Sequence, residues 1–505
     1  MRLRTLLPRL PLTLLLTLPS LTQAQFTFTT NNGTITITRY IGPGGDVIIP
    51  DTTNGLPVTG VGPSAFAYCF NLTNVTIPDS ITTIGQAAFF DCTNLASVTL
   101  PSSVRYIGEG PFSCCTGLAD IEVDAGNTNF SSADGVVFDK HRTIILQYPC
   151  GRGGSYTVPN TVTNIGGGAF TYAVILANVE IPETVTSISE NAFYGCYSLN
   201  TVNIPGSVSN IGFQAFCLCE ALTNAVIADG VKAFGESAFQ SCGLMYVIIP
   251  ASINSIGTHA FSYCLNLTSI SIPGSVTSIG YGAFAGCSGL TNAIISDGVR
   301  AIGDYAFNYC RSLTSVSIPS SVTTIGASAF QGVGMTSFTI PCGVTSIGGG
   351  AFATCPNLTN LIVSASVNTI GASAFGYSTN LTSVYFLGNA PSADLDLFFK
   401  DYKTTVYYLP GTTGWGSTFG GRPTTSWFLP NPLILGSPNF GVRTNAFGFV
   451  VSWATNLSVV VDACDDLADA AWSPVSTNAL LDGWFYFSDP DWTNYPARLY
   501  RIRSP

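Results

Sequence analysis

Charge is the scarcest ingredient of this sequence. Only 9% of its 505 residues are Asp, Glu, Lys or Arg; histidine occurs twice and methionine three times. Eighteen basic residues against 28 acidic ones leave a formal net charge of −10, so the basic footprint that draws a protein to nucleic acid is missing. Long solvated helices are excluded for the same reason, because their outer faces need Lys and Glu. Two histidines leave most catalytic triads without a base, and no HExxH, G-x-S-x-G or P-loop string occurs. Hydrophobic residues make up 46%, which argues against disorder. What is plentiful is Gly (52), Pro (29) and Cys (15), and the composition predicts a β-rich chain with a surface of Ser, Thr, Asn and Gly.

Arg2, Arg4 and Arg9 precede or interrupt a leucine-rich run reaching Leu21, and Thr22-Gln23-Ala24 offers small residues for cleavage. That order predicts a secretory signal peptide over residues 1–24. Pro8, Pro11 and Pro19 break a stretch too short to span a bilayer, and no later run reaches the ~18 apolar residues a spanning helix needs. Cleavage removes three arginines and no acid, taking the net charge from −10 to −13.

The chain is a repeat of period 23. Phe66, Phe89, Phe112, Phe170, Phe193, Phe216, Phe239, Phe261, Phe284, Phe307, Phe330, Phe352 and Phe375 are spaced by 23, 23, 58, 23, 23, 23, 22, 23, 23, 23, 22 and 23. Four residues before each anchor stands Gly, except Ser189; one before stands Ala, except Pro111; five or six after stands Leu, with Met335 the single substitute. The consensus is L-T-S-V-x-I-P-x-S-V-T-x-I-G-x-x-A-F-x-x-C. A unit this short cannot bury its own apolar face, so neighbours must stack into one continuous core. V-x-I-P reads as a short strand that proline ends, V-T-x-I-G as a second extended piece, and A-F-x-x-C as a single helical turn that drops Phe into the core. At ~4.8 Å per coil, 13–15 coils make a rod or arc on the order of 65 Å long.

These strings resemble the BspA-like leucine-rich repeats, extracellular repeat proteins of bacteria and protists. The resemblance covers roughly Thr34 to Pro430 and implies a right-handed solenoid that works by presenting a surface in adhesion or protein binding. The 58-residue step also fits that family, where such inserts are common. It reads locally as a hairpin turning at Asp139–Arg142, with a returning strand at Thr143–Tyr148. The expected layout is a signal peptide (1–24), an N-terminal cap and first coil (25–60), and repeats (61–387) with the insert at about 120–158. A C-terminal cap (388–430) and a small β-sandwich-like module (431–505) follow. That module, with Trp472-x-x-Val475 and Arg498-x-Tyr500-Arg501, is similar to modules that close many secreted proteins of verrucomicrobial and planctomycete type.

Ten of the fifteen cysteines fall three residues after an anchor, where other coils have Ala173, Val333 and Ser378. A slot that accepts Ala and Val is a small core position, so these thiols are expected to be buried and unpaired, although stacked neighbours ~5 Å apart are within disulfide reach. A zinc reading has only Cys114-Cys115 and Cys217-x-Cys219 as close pairs. His141 lies near Asp139 and Cys150, which reads better as a charged turn than as a catalytic group; His259 reads as an exposed coil residue. Asp462, Asp465, Asp466 and Asp469 form an acidic cluster that reads as a solvated turn, with Ca²⁺ binding as the sharper alternative. Nothing calls for a cofactor.

The x of V-x-I-P faces away from the core. Its row is mostly small and polar, but Val226, Ile248, Ile294 and Ile362 interrupt it, and with Ser271, Ser317 and Tyr385 they define a candidate binding face. Val226, Ile294 and Ile362 come from variant coils that lack the proline and stand 68 residues apart, so duplication of a three-coil block is the competing account. The function expected is a secreted or cell-surface, non-enzymatic repeat protein that binds a protein or a surface glycan. The alternative is a structural component of the matrix or cell envelope.

Overall fold

Alternation of core-facing Val and Ile with outward Ser, Thr and Asn is the pattern of a half-buried strand, and each coil forms one. The computed structural model describes residues 25–427, 433–435, 440–443, 446–453, 457–465, 471–495 and 497–504. The expected signal peptide lies outside them. The fold is a β-solenoid, and the described chain divides into two compact units: residues up to 142 with 146–152, and residues 143–145 with 153 onward.

In the first unit, Phe26–Asn31 pairs antiparallel with Thr34–Tyr40, which passes in parallel onto Leu56–Val61 and the coils beyond. Tyr40 stacks on Phe66 (5.2 Å between centroids), Phe66 on Phe89 (4.8 Å) and Phe89 on Phe112 (5.2 Å). An aromatic from the cap thus closes the open end of the phenylalanine column.

The insert contains more than the expected hairpin. The turn at Asp139–Arg142 is present, closed by the Arg142 N–H on the Asp139 carbonyl (3.0 Å). A second hairpin precedes it, pairing Phe130–Ala133 with Val136–Asp139 around Asp134-Gly135. Asn127 organises this start. It is buried, its Nδ2 donates to the carbonyls of Pro101 (2.9 Å) and Val104 (3.0 Å), and its Oδ1 accepts from the amides of Asn129 and Phe130 (2.9 Å each).

In the second unit, rings stack in register from Phe170–Phe193 (4.7 Å) to Phe330–Phe352 (5.4 Å). The column runs on through Phe375 to Phe398 (5.6 Å). The repeat register therefore does not fail after Leu387: Phe398 stands 23 residues beyond Phe375, and Thr405–Tyr408 continues the strand ladder from Ser383–Phe386. The antiparallel pair Thr418–Phe419 and Arg422–Ser426 closes the ladder.

The A-F-x-x-C segment is not a helical turn. Residues two before and two after every anchor lie in the left-handed region, such as His259 (φ 53°) and Tyr263 (φ 57°) around Phe261. This backbone costs a non-glycine residue about 1–2 kcal/mol. It is stabilised because the amides of His259, Phe261 and Tyr263 all turn toward the next coil and donate to Tyr281, Ala283 and Ala285 (2.8, 2.8 and 2.7 Å). At three places a tyrosine in this left-handed site lies against a glycine in the same site one coil on: Tyr172 on Gly195, Tyr263 on Gly286 and Tyr309 on Gly332. A Cβ on any of these glycines would stand 2.6–2.7 Å from the ring. His259 lies against Gly282 in the same way, so it is half-buried rather than an exposed coil residue.

The last module is a small two-sheet β structure. Ala446–Ser452 pairs with Leu433–Leu435, Gly441–Arg443 and Trp484–Asp489, while Leu457–Cys464 pairs with Ser473–Leu480 and Leu499–Arg503. Phe449, Val451, Trp453, Val459, Val461, Leu480 and Phe487 form its core. Asp462 is not on a solvated turn. It is buried mid-strand, and its Oδ2 accepts from Nε of Arg501 (3.0 Å) and of Arg503 (2.9 Å). Burial opposes its ionised form, but the two guanidiniums outweigh that and hold its carboxyl below the usual carboxylate range. Asp465 is exposed, and Asp466 and Asp469 lie outside the described residues.

Candidate functional site

The long strands set the outward face. In the second unit they run from Gly154–Thr157 through Leu176–Glu180, Thr201–Ile204, Asn224–Ile227 and Tyr246–Val247. The ladder stops there, resumes over Ser269–Ile272, Asn292–Ile295 and Ser315–Ser317, stops again, and resumes at Ser337–Thr339. Both interruptions fall at the 22-residue coils, Phe239 to Phe261 and Phe330 to Phe352. In each, the segment between the column position and the next core residue is one residue short (Cys242-Gly243-Leu244 and Val333-Gly334-Met335).

The seven candidate residues therefore do not make one continuous row. Ser271, Ile294 and Ser317 are direct lateral partners within the middle ladder. Ile362 pairs with Tyr385 in the last one, and both are half-buried, because Tyr385 stacks on Tyr407 (4.8 Å) and packs against Trp427 (4.6 Å). Val226 and Ile248 occupy the end of the first ladder. Two neighbours escaped the sequence reading, Met245 and Tyr246, which lie in the same shortened coil but outside the x row. Exposure is 52% for Val226, 52% for Met245, 52% for Tyr246, 73% for Ile248 and 45% for Ile294. A recess of about 390 Å³ lies beside them, lined by Tyr246, Ile248, Ser269, Ser271 and Pro273. Just before the strand of the same coil, Glu220, Gly243, Tyr263 and Leu265 line a second recess of about 510 Å³.

This face has an electrostatic sign. From Gly154–Thr157 to Thr405–Tyr408 no long strand of the second unit contains Lys or Arg, and Glu180 is the one charged residue in them. Three exposed acids lie on neighbouring segments: the backbone of Glu220 abuts Gly243, two residues before Met245, Asp229 follows Val226 by three residues, and Asp297 follows Ile294 by three. Lys232 and Arg300 instead lead into the two-residue strands Ala233–Phe234 and Ala301–Ile302.

The cysteine column is a hydrogen-bonded feature as well as a packed one. The thiol of Cys92 donates to the carbonyl of Phe66 (3.2 Å), that of Cys287 to Phe261 (3.1 Å) and that of Cys310 to Phe284 (3.1 Å), always to the anchor one coil back. Ser378 makes the same bond to Phe352 (3.0 Å), so the slot accepts a small buried donor as well as the apolar Ala173 and Val333. Cys150 is an unrecognised member, with its thiol toward the Phe112 carbonyl (3.5 Å). It is fully buried while His141 is exposed on its turn, which leaves the Cys-His-Asp idea without a site. All fifteen cysteines stand as thiols. Burial pushes the thiols of Cys264 and Cys310 up to about 12. Labelling the native protein with a thiol reagent at pH 8 is expected to modify the exposed Cys342 readily, the half-buried Cys69 and Cys114 slowly, and the remaining column not at all. Denaturation without reductant should expose all fifteen. Rapid native labelling of Cys264 or Cys310 would contradict this placement.

Among the described residues no group of three or more His, Cys, Asp or Glu side chains is placed to hold a metal ion, and no helix is long and apolar enough to cross a membrane.

The model of the BspA type leucine rich repeat region matches residues 58–143, 148–268 and 254–382, in six copies. The chain belongs to this family. The BspA-type chain is similar to a leucine-rich repeat protein from Bacteroides ovatus, with 28% identity, a TM-score of 0.51, and coverage of 72% of this chain and 93% of that one. It is also similar to a leucine rich cell surface protein from Faecalibacterium prausnitzii, with 30% identity, a TM-score of 0.44, and coverage of 72% and 94%. No curated protein matches it.

Proposed function

We propose that this BspA-type chain is a secreted or cell-surface protein that binds a protein or a surface glycan through its long-strand face and carries out no catalysis. The observation that supports this best is the combination of a mostly polar, cation-free strand face with a cluster of exposed large apolar side chains on it, since contiguous exposed apolar surface marks interaction sites. The leader-like residues 1–24 support export, and the family supports a role in binding rather than chemistry.

Residues 25–505, immobilised and presented with extracellular matrix proteins and a glycan array, are expected to retain a small set of partners in a saturable way. Fractionation of the producing cells should find the chain outside the cytoplasm. Retention of no partner, with the chain recovered only as an insoluble envelope polymer, would replace this function with the structural one.

A further inference from the structure

Within the cluster formed by Val226, Met245, Tyr246 and Ile248, the last three side chains are not explained by folding. The two shortened coils offer an internal comparison. Both lose one residue at the same place and both interrupt the strand ladder, yet the outward positions of the second are Thr336, Ser337 and Thr339, all exposed. A shortened coil is therefore stable with small polar side chains there, and Met245, Tyr246 and Ile248 answer no packing requirement of the coil that carries them. Duplication does not account for them either, because this coil keeps its proline, Pro250, and is not one of the variants spaced by 68 residues. Large apolar side chains that are more than half exposed favour association with another apolar surface.

The charge pattern selects the partner. Glu220 and Asp229 are exposed on the coil that carries Val226, Asp297 is exposed on the coil that carries Ile294, and the strands between contain no Lys or Arg. An acidic partner meets uncompensated repulsion there, whereas a basic one gains both steering and complementarity. We propose that Met245, Tyr246, Ile248 and Val226 are the docking site for a basic polypeptide segment, one whose apolar side chains enter the recess between Ile248 and Ser271 while its Lys or Arg side chains face Glu220, Asp229 and Asp297. This rests on the binding function proposed above and names its partner chemistry.

Three labelled twelve-residue peptides probe it by fluorescence anisotropy with the full chain from residue 25. One alternates Leu and Lys, one alternates Leu and Glu, and one alternates Ser and Lys. The Leu/Lys peptide is expected to bind at least tenfold more tightly than either of the others. The double variant Tyr246→Ser with Ile248→Ser is expected to lose that preference, at least tenfold in affinity, with unchanged circular dichroism because both side chains are exposed. Asp229→Asn with Asp297→Asn should weaken binding and flatten its salt dependence. Ser337→Ala with Thr339→Ala, at the other shortened coil, should leave it unchanged. Equal binding of Leu/Lys and Ser/Lys peptides, full binding by the double variant, or no binding of any peptide overturns the proposal. If the double variant still retains every partner captured from the matrix and glycan panels, the site is wrong while the binding function stands. If nothing is captured from those panels, the function itself falls.

Discussion

Replacing Phe284 by alanine is expected to cost about 4 kcal/mol, the range found when a fully buried aromatic is truncated and its neighbours cannot close the gap. Its ring lies between Phe261 at 5.5 Å and Phe307 at 5.3 Å, nearly parallel to both. Collapse is blocked because every coil is held at a fixed spacing by hydrogen bonds to the coils on either side. In a solenoid each repeat is stabilised by its nearest neighbours, so a gap in the middle also uncouples the coils before it from those after it. Urea unfolding should therefore show a lower midpoint and a split or shallower transition. Phe398→Ala, at the end of the column with Phe375 as its one aromatic neighbour in the stack, should cost less and leave the transition single. A Phe284→Ala variant that loses under ~1 kcal/mol with an unchanged slope would mean the column is not the cooperative element.

Asn127→Ala is expected to cost about 3 kcal/mol by leaving two buried carbonyls and two amides without their partner. Asn127→Asp should be no better, although it has the same shape, because it sets a carboxylate oxygen against the carbonyls of Pro101 and Val104. The loss should be local. Hydrogen exchange at the amides of Asn129 and Phe130 should accelerate by orders of magnitude, and proteolysis should begin between Phe130 and Asp139, while the coils from Phe170 onward keep their protection. Unchanged exchange at those two amides in the alanine variant would show that the hairpin strands order the insert without Asn127.

The contrast between these residues explains what could be read in advance. Phe284 is legible because it is one of thirteen equivalents, so periodicity averages away the variation around it. Asn127 occurs once, and nothing in Asp-Ala-Gly-Asn-Thr-Asn announces which polar side chain turns inward. Phe398 keeps the spacing of 23 but has Leu397 and Asp394 where the pattern has Ala and Gly, so a neighbour-based register stops one coil early. The left-handed residues around each anchor were hidden by the tolerance of those sites for Ser, Asn, Gln, Leu and Tyr; the glycines that also occur there, Gly168, Gly195, Gly282 and Gly286 among them, were the signal. The cysteine slot was legible as small and buried, since Ala173 and Val333 share it, but Ser378 was the clue that it also donates a hydrogen bond. At the candidate site, strand alternation correctly turned Val226, Ile248 and Ile294 outward. Met245 and Tyr246 stayed invisible because a missing residue in the coil mattered only once the ladder beside it was seen to stop. Asp462 looked solvated because its partners, Arg501 and Arg503, stand 39 and 41 residues away, at the far end of the chain.

The pairing of tyrosine with glycine across successive coils gives the array a word order. Coils that share one consensus look interchangeable, and unequal recombination would freely delete or shuffle them. Excising the coil that carries Gly286, however, would bring Tyr309 against Tyr263, two rings competing for room that a single hydrogen atom occupies now. Lineages of this protein are therefore expected to lengthen and shorten by blocks that keep Tyr172, Tyr263 and Tyr309 each with the glycine that follows it, and the disfavoured breakpoints can be marked on the sequence by reading that one column.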